Sequence, residues 1–151
     1  MQRRLKGLGA NHEEMLDVYE KQIRCVLEMA VAVWESGLTQ IEISQIERVQ
    51  KSAFSVIIGD EYVSYERALD ELNRTSLSER RKNLCLSFAK KASKDPKYKR
   101  WFNPNPFVNT TNTRSEKVEL TFKPVEHRTD RFRDSPLAFL TEILNEAMTK
   151  K

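Results

Sequence analysis

The residues of this chain best suited to chemistry are lysines and arginines concentrated in one segment. Residues 74–101 contain ten Lys or Arg and only two acids, a net charge of +8. Apolar residues recur at helical spacing within the same segment, at Leu77, Leu84, Cys85, Phe88 and Ala89. A helix with one apolar and one basic face can pack against a fold and contact phosphates at the same time. The segment therefore predicts binding of a polyanion, with nucleic acid as the first candidate.

Two interpretations of this basic cluster compete. A charged helix face often serves solubility alone, but solubilising surfaces usually mix both signs of charge. The scarcity of acids favours contacts with phosphates, which are independent of base sequence and weaken with salt. The residues expected to bind nucleic acid are Arg80, Arg81, Lys90, Lys91, Lys94, Lys97, Lys99, Arg100 and Trp101. For Trp101 two roles stay open, since it can anchor in the core beside Phe102 or stack on a base.

No catalytic centre, metal site or cofactor site is predicted. The two histidines, His12 and His127, have no nucleophile motif beside them and are expected to be solvated. The sequence contains no phosphate-binding glycine loop, no GxSxG turn and no HExxH helix. Asp60-Glu61 is the nearest acidic pair, and it lacks the clustered carboxylates that two-metal chemistry needs.

Charge is distributed unevenly along the 151 residues, of which 39% are hydrophobic and 32% charged. The total is only +4, yet residues 13–72 carry −8, which indicates distinct surfaces for distinct partners. Cys25 and Cys85 lie on the apolar sides of predicted helices, so two buried thiols are expected, with a disulfide as the alternative. No apolar run suits a signal peptide or a bilayer span, so we expect an intracellular protein, in the cytoplasm or nucleus, without membrane contact.

Capping patterns predict four helices in the first hundred residues. The first is expected over 12–35, from an Asn11 cap to Gly37 in the left-handed position. The second begins after Thr39 and ends at Gly59, and its inward stripe is Ile43, Ile46, Val49, Gln50, Ala53, Phe54 and Ile57. The short loop between these two helices predicts an antiparallel hairpin. Ser64 opens a brief third helix, and Ser76 opens the basic fourth helix over 77–93, which Asp95-Pro96 stops.

Beyond residue 102 the composition changes to Asn, Thr and Pro. Residues 103–134 are predicted to be a linker, with a weakly extended segment over 118–125. Ser135-Pro136 then opens a terminal amphipathic helix over 135–151. The predicted fold class is mainly α: a small bundle over 1–102, built from the antiparallel hairpin plus two shorter helices, then an irregular linker and the terminal helix.

Four strings in order resemble the carboxy-terminal region of a reverse transcriptase from a non-LTR, jockey-like retrotransposon. They are RRLKGLGA, LDVYEKQIRCVLEMAVAVWESGLT, QIERVQKSAFSVIIG and YERALDELNRTSLSERRKNLCLSFAKKASKDPKYKRWF. Together they lie within residues 3–102, and FRDSPLAFLTEILN adds a looser likeness. In that family the region follows the polymerase palm and forms the thumb and the helices beyond it.

The resemblance implies a helical module that grips a template–primer duplex, RNA–DNA or DNA, through phosphate contacts. Arg3, Arg4 and Lys6 would lie at the start of the thumb, and the basic positions from Arg80 to Lys99 beyond it. No catalytic residue is carried over, because the family's aspartates belong to the palm, which would precede Met1 as a partner domain. The resemblance thus implies a chain that is not an enzyme on its own.

Two other hypotheses remain open. The acidic stretch 13–72 and the terminal helix suit a protein-interaction or oligomerisation module. Alternatively, the chain is a non-functional relic of a decayed element, which folds but has no selected role. The sequence does not separate a relic from a working fragment.

Overall fold

The computed structural model is mainly α-helical, as the sequence predicts. It describes residues 2–104, 121–126 and 128–149. Within these ranges, strand-like pairing is limited to one bridge between Pro104 and Phe122. None of the described helices combines the length and apolarity needed to cross a bilayer. The middle of the predicted linker, the start of the predicted extended segment and His127 lie outside the described residues.

The chain divides into two compact units. Unit one comprises Met1–Val31 and Leu38–Arg81, and unit two comprises Ala32–Gly37 and Lys82–Lys151. The long basic helix begins in unit one and continues in unit two. The domain boundaries expected from the sequence, at residues 102 and 134, stay predictions.

The predicted helix over 12–35 is interrupted. Helix α1 (Gln2–Gly7) precedes this range. Within it lie α2 (His12–Val18), a π-helical segment (Tyr19–Arg24), α3 (Cys25–Glu28) and α4 (Val31–Trp34). The break falls after Glu28, where Ala30 has a φ of 53°. Ala30, and not Gly37, therefore takes the left-handed conformation, which is uncommon for a residue with a side chain. The predicted start is confirmed, because Asn11 and Glu14 form a reciprocal capping box.

Helix α5 (Gln40–Ile58) has the predicted boundaries. The Glu42 carboxylate accepts the Thr39 N–H at 2.8 Å, and this backbone hydrogen bond is the main reason that the pKa of Glu42 is lowered. At the other end Gly59 has a φ of 75°, and the Lys6 ammonium donates to the Val56 carbonyl at 3.0 Å. A cation at this end of a helix offsets the partial negative charge of the last carbonyls.

The core of unit one lies between α2, the π-helical segment, α5 and α6 (Tyr65–Glu71). Its buried members are Met15, Tyr19, Ala53, Phe54, Ile57, Ile58 and Ala68. The rings of Tyr19 and Phe54 meet edge to face, with centroids 5.6 Å apart. The predicted inward stripe of α5 is confirmed for its C-terminal half, but Val49 is 39% exposed and was placed there wrongly.

A carboxylate from α5 fixes the start of the basic helix, α7 (Leu77–Lys94). Glu47 accepts the backbone N–H groups of Leu77 at 3.1 Å and Ser78 at 3.2 Å, as well as the Tyr65 hydroxyl. Burial and this carboxylate raise the pKa of the Tyr65 phenol. Ser76 caps the same turn as predicted, because its hydroxyl accepts the Glu79 N–H at 3.2 Å. The orphan N–H groups of the first turn are thus satisfied largely from within unit one.

Unit two contains the rest of α7, a 3-10 turn (Lys99–Trp101), α8 (Asp130–Arg133) and α9 (Pro136–Thr149). Phe102 is buried and packs against Phe122, with ring centroids 5.9 Å apart. The Asn145 side chain of α9 holds the Phe122 backbone through two hydrogen bonds of 2.9 and 3.0 Å. Leu140 and Leu144 are also buried, so the predicted terminal helix is part of the packed unit.

The two cysteines differ from each other. Neither is in a disulfide, and Cys85 is buried as expected. Cys25 is exposed, and its thiol donates to the Lys21 carbonyl at 2.8 Å, so the prediction of a buried thiol was wrong at this position. The reason is that the core is contacted through Met15 and Tyr19, whereas Cys25 and Val26 lie on the exposed side of α3.

Candidate nucleic-acid interface

The geometry of α7 removes Arg81 from the predicted interface. Residues four apart lie on one face of a helix, and Leu77, Arg81, Cys85 and Ala89 follow each other at this spacing. All four have a relative exposure of 0%. Arg81 is therefore part of the buried stripe and does not reach a phosphate on the surface. The four-residue spacing between Leu77 and Arg81 in the sequence already indicated that Arg81 is buried.

Arg80 and Lys6 are engaged in structural contacts within unit one. The Arg80 guanidinium donates to the Glu28 carboxylate, which also pairs with Arg24. Lys6 sits at the C-terminal end of α5, as described above. Since each of these cations already has an anionic or carbonyl partner, each is a weaker candidate for phosphate contact. Arg3 and Arg4 of α1 are exposed, as contact with phosphates requires.

A second ion-pair cluster in unit one involves Arg74, which also belongs to the basic segment. Its Nε donates to the Glu20 carboxylate at 2.6 Å, and Arg24 donates to the same oxygen at 2.7 Å. Burial alone would raise the pKa of Glu20, but the two guanidinium groups outweigh it and the pKa is lowered. The net charge of +8 over residues 74–101 therefore overstates the charge available to an outside partner.

The available charge is concentrated in unit two, in a group that we call the basic patch. It consists of six exposed cations: Lys90, Lys91, Lys94, Lys97, Lys99 and Arg100. The only acid among residues 82–104 is Asp95, whose carboxylate accepts the Lys97 N–H at 2.8 Å. Lys91 and Lys94 lie in the last turn of α7, where cations also offset the helix dipole. That effect applies to Lys91 and Lys94 and does not apply to the other four cations.

Two aromatic rings lie within the basic patch. Tyr98 and Trp101 have ring centroids 4.8 Å apart, and the Lys97 ammonium lies 5.4 Å from the centroid of the Tyr98 ring. Trp101 is 40% exposed, whereas Phe102 is 1% exposed. Phe102 therefore anchors this segment, and the core role considered for Trp101 is filled by its neighbour. Tyr98 was not among the predicted site residues, although its position three residues before Trp101 placed the two rings together.

The apolar spacing of the basic helix predicts that Phe88 packs against the fold together with Leu84, and this was wrong for Phe88. Phe88 is 43% exposed, while Leu84 is half-buried. The buried stripe of α7 passes through Cys85, Ala89 and Ala92, which turns Phe88 toward solvent. The exposed side of the helix thus carries an aromatic ring as well as lysines.

The arrangement can bind anions and stack on flat groups, and these are its clear chemical capacities. Among the residues that the structure describes, no group of His, Cys, Asp or Glu is placed to hold a metal ion. His12 is exposed, as expected. No protein-family model, no curated protein and no solved structure matches this chain.

Proposed function

We propose that this chain binds nucleic acid through the phosphate backbone, with the basic patch as the main contact. The supporting observation is the set of six exposed cations within residues 90–100, accompanied by a single acid. Lysine and arginine contacts of this kind release counterions from the nucleic acid and supply sequence-independent affinity. Arg3 and Arg4 of unit one are assigned an accessory role, because both are exposed.

We further propose the role that the family resemblance implies. In this role the chain is a thumb-like fragment of a retrotransposon RNA-directed DNA polymerase. It binds the template–primer duplex and leaves polymerisation to upstream fingers and palm domains. The mainly α fold and the exposed cations of α7 are compatible with such a role.

Lysine footprinting on an RNA–DNA duplex tests where the chain is contacted. The protein is acylated at low salt with and without the duplex, and the modified lysines are quantified by mass spectrometry. We expect protection at Lys90, Lys91, Lys94, Lys97 and Lys99, because bound phosphates cover these ammonium groups. Lys21 and Lys51 of unit one are exposed internal controls and should react at unchanged rates. Equal protection of the controls, or none at the basic patch, would contradict the proposed interface.

A second candidate function is a protein-interaction module. Val26 of α3 and Met29, which directly follows α3, are 60% and 66% exposed. The buried Leu140 and Leu144 argue against the terminal helix as a detachable docking element. Measuring the mass of the chain in solution over a range of concentrations distinguishes self-association from a monomer.

A further inference from the structure

The aromatic pair in the basic patch, Tyr98 and Trp101, indicates a ligand more specific than any nucleic acid bound through its phosphates alone. We infer that Trp101, supported by Tyr98, stacks on a base of single-stranded nucleic acid, so that the patch prefers unpaired nucleotides to a continuous duplex. This inference rests on the proposed function, since the stacking ring acts on a strand that the cations already hold. Phosphate contacts alone do not distinguish a single strand from a duplex.

The physical basis is the difference between what a duplex and a single strand expose. Both present phosphates, so a purely cationic patch binds either one. In a duplex the faces of the bases are covered by their neighbours, whereas every unpaired base offers a face for stacking. Aromatic side chains within a positively charged groove are the recurrent means by which proteins bind single strands.

The position of Trp101 suits this role. The following residue, Phe102, is buried against Phe122 and holds the backbone of the 3-10 turn in place. Trp101 is 40% exposed and therefore still has surface that a ligand can contact. Lys99 and Arg100 precede it directly in the chain and are both exposed. A strand whose phosphates contact these two cations has its bases within reach of the indole.

Tyr98 has the supporting role in this pair. Its ring packs against Trp101 at an interplanar angle of 51° and has the Lys97 ammonium near it. These contacts position the indole and leave less of the tyrosine ring for a base. Trp101 is accordingly the residue whose replacement should change the choice between single strand and duplex.

The test compares Trp101→Leu with the unmodified chain on two labelled probes. These are an oligo(dT) single strand of about 16 nucleotides and a duplex of the same length. Leucine keeps an apolar side chain against Tyr98 and removes the stacking surface. We expect single-strand affinity to fall about 5- to 100-fold, the range that one base–aromatic stack supplies. Duplex affinity should change less than about twofold, because phosphate contacts supply that term.

Phe132→Leu is the matched control, because Phe132 is an exposed aromatic residue of unit two that lies in α8, outside the basic patch. It should leave both affinities unchanged. Equal losses on both probes, or no loss on either, would overturn the stacking inference and leave the proposed phosphate contact standing. Failure of the unmodified chain to bind either probe would remove both proposals.

Indole fluorescence provides a readout that does not depend on the variant's folding. Oligo(dT) should quench the tryptophan emission of the unmodified chain more strongly than the duplex does at equal saturation. Quenching should be lost in Trp101→Leu, in which Trp34 is the remaining tryptophan. Equal quenching by the two probes contradicts stacking even if Trp101→Leu fails to fold.

Discussion

Replacing Lys90, Lys91 and Lys94 together by glutamine is expected to weaken duplex binding by about 100-fold at low salt. Each exposed ammonium gains about 1 kcal/mol beside a phosphate in water, and three such losses correspond to roughly two orders of magnitude in Kd. The slope of log K against log salt should also become shallower by about 3. Fluorescence anisotropy with a labelled RNA–DNA duplex measures both quantities. All three side chains are exposed, so the fold should be retained.

A triple variant in unit one separates local contact from total charge. Lys21, Lys51 and Arg67 are exposed, and their replacement by glutamine removes the same number of positive charges. If the basic patch makes the contacts, this control should lose only a small part of the affinity, through long-range attraction. Similar losses in both triple variants would show that net charge, and not the patch, governs binding.

The largest effect on stability is expected for Phe54→Ala. Phe54 is 1% exposed in the core of unit one, where its ring lies 5.6 Å from that of Tyr19 and 6.3 Å from that of Tyr65. Removing the ring deletes buried apolar surface and leaves a cavity between these two partners. The free energy of unfolding should fall by about 3–5 kcal/mol, and urea denaturation followed by circular dichroism measures the change.

Ile41→Ala on the same helix is the control for this substitution. Ile41 is 72% exposed near the start of α5, so its truncation removes little buried surface. Its cost should stay within about 0.5 kcal/mol. Comparable costs for the two variants would mean that the core does not lie on the Phe54 face of α5.

Local signals in the sequence predicted the starts of α2, α5 and α7 and the ends of α5 and α7. Asn11 and Thr39 are capping residues whose partners lie three positions ahead in the chain, so their role depends on neighbours that the sequence displays. Gly59 and Pro96 act equally locally, the first by its positive φ and the second by restricting the residue before it. The mainly α fold follows from these signals and from the apolar periodicity of α5.

Features that depend on distant contacts were not predicted. Ala30 adopts a left-handed conformation that nothing in its own residue type favours, so the break after Glu28 is imposed by the surrounding fold. Glu47 caps α7 from thirty residues away in the chain, and Arg80 pairs with Glu28 from a still larger separation. Arg81 is different, because its four-residue spacing from Leu77 indicated burial although its side chain is charged.

The salt dependence of binding to an RNA–DNA duplex tests the central proposal most directly. With six exposed cations in the basic patch, each neutralising one phosphate, log K should fall linearly with log salt concentration at a slope of about −5. The measurement needs only the unmodified chain and a labelled duplex, titrated at several salt concentrations from about 50 to 200 mM. A slope near −5 is the result that the proposal predicts. Absence of binding at the lowest salt concentration, or binding with a slope near zero, would contradict it.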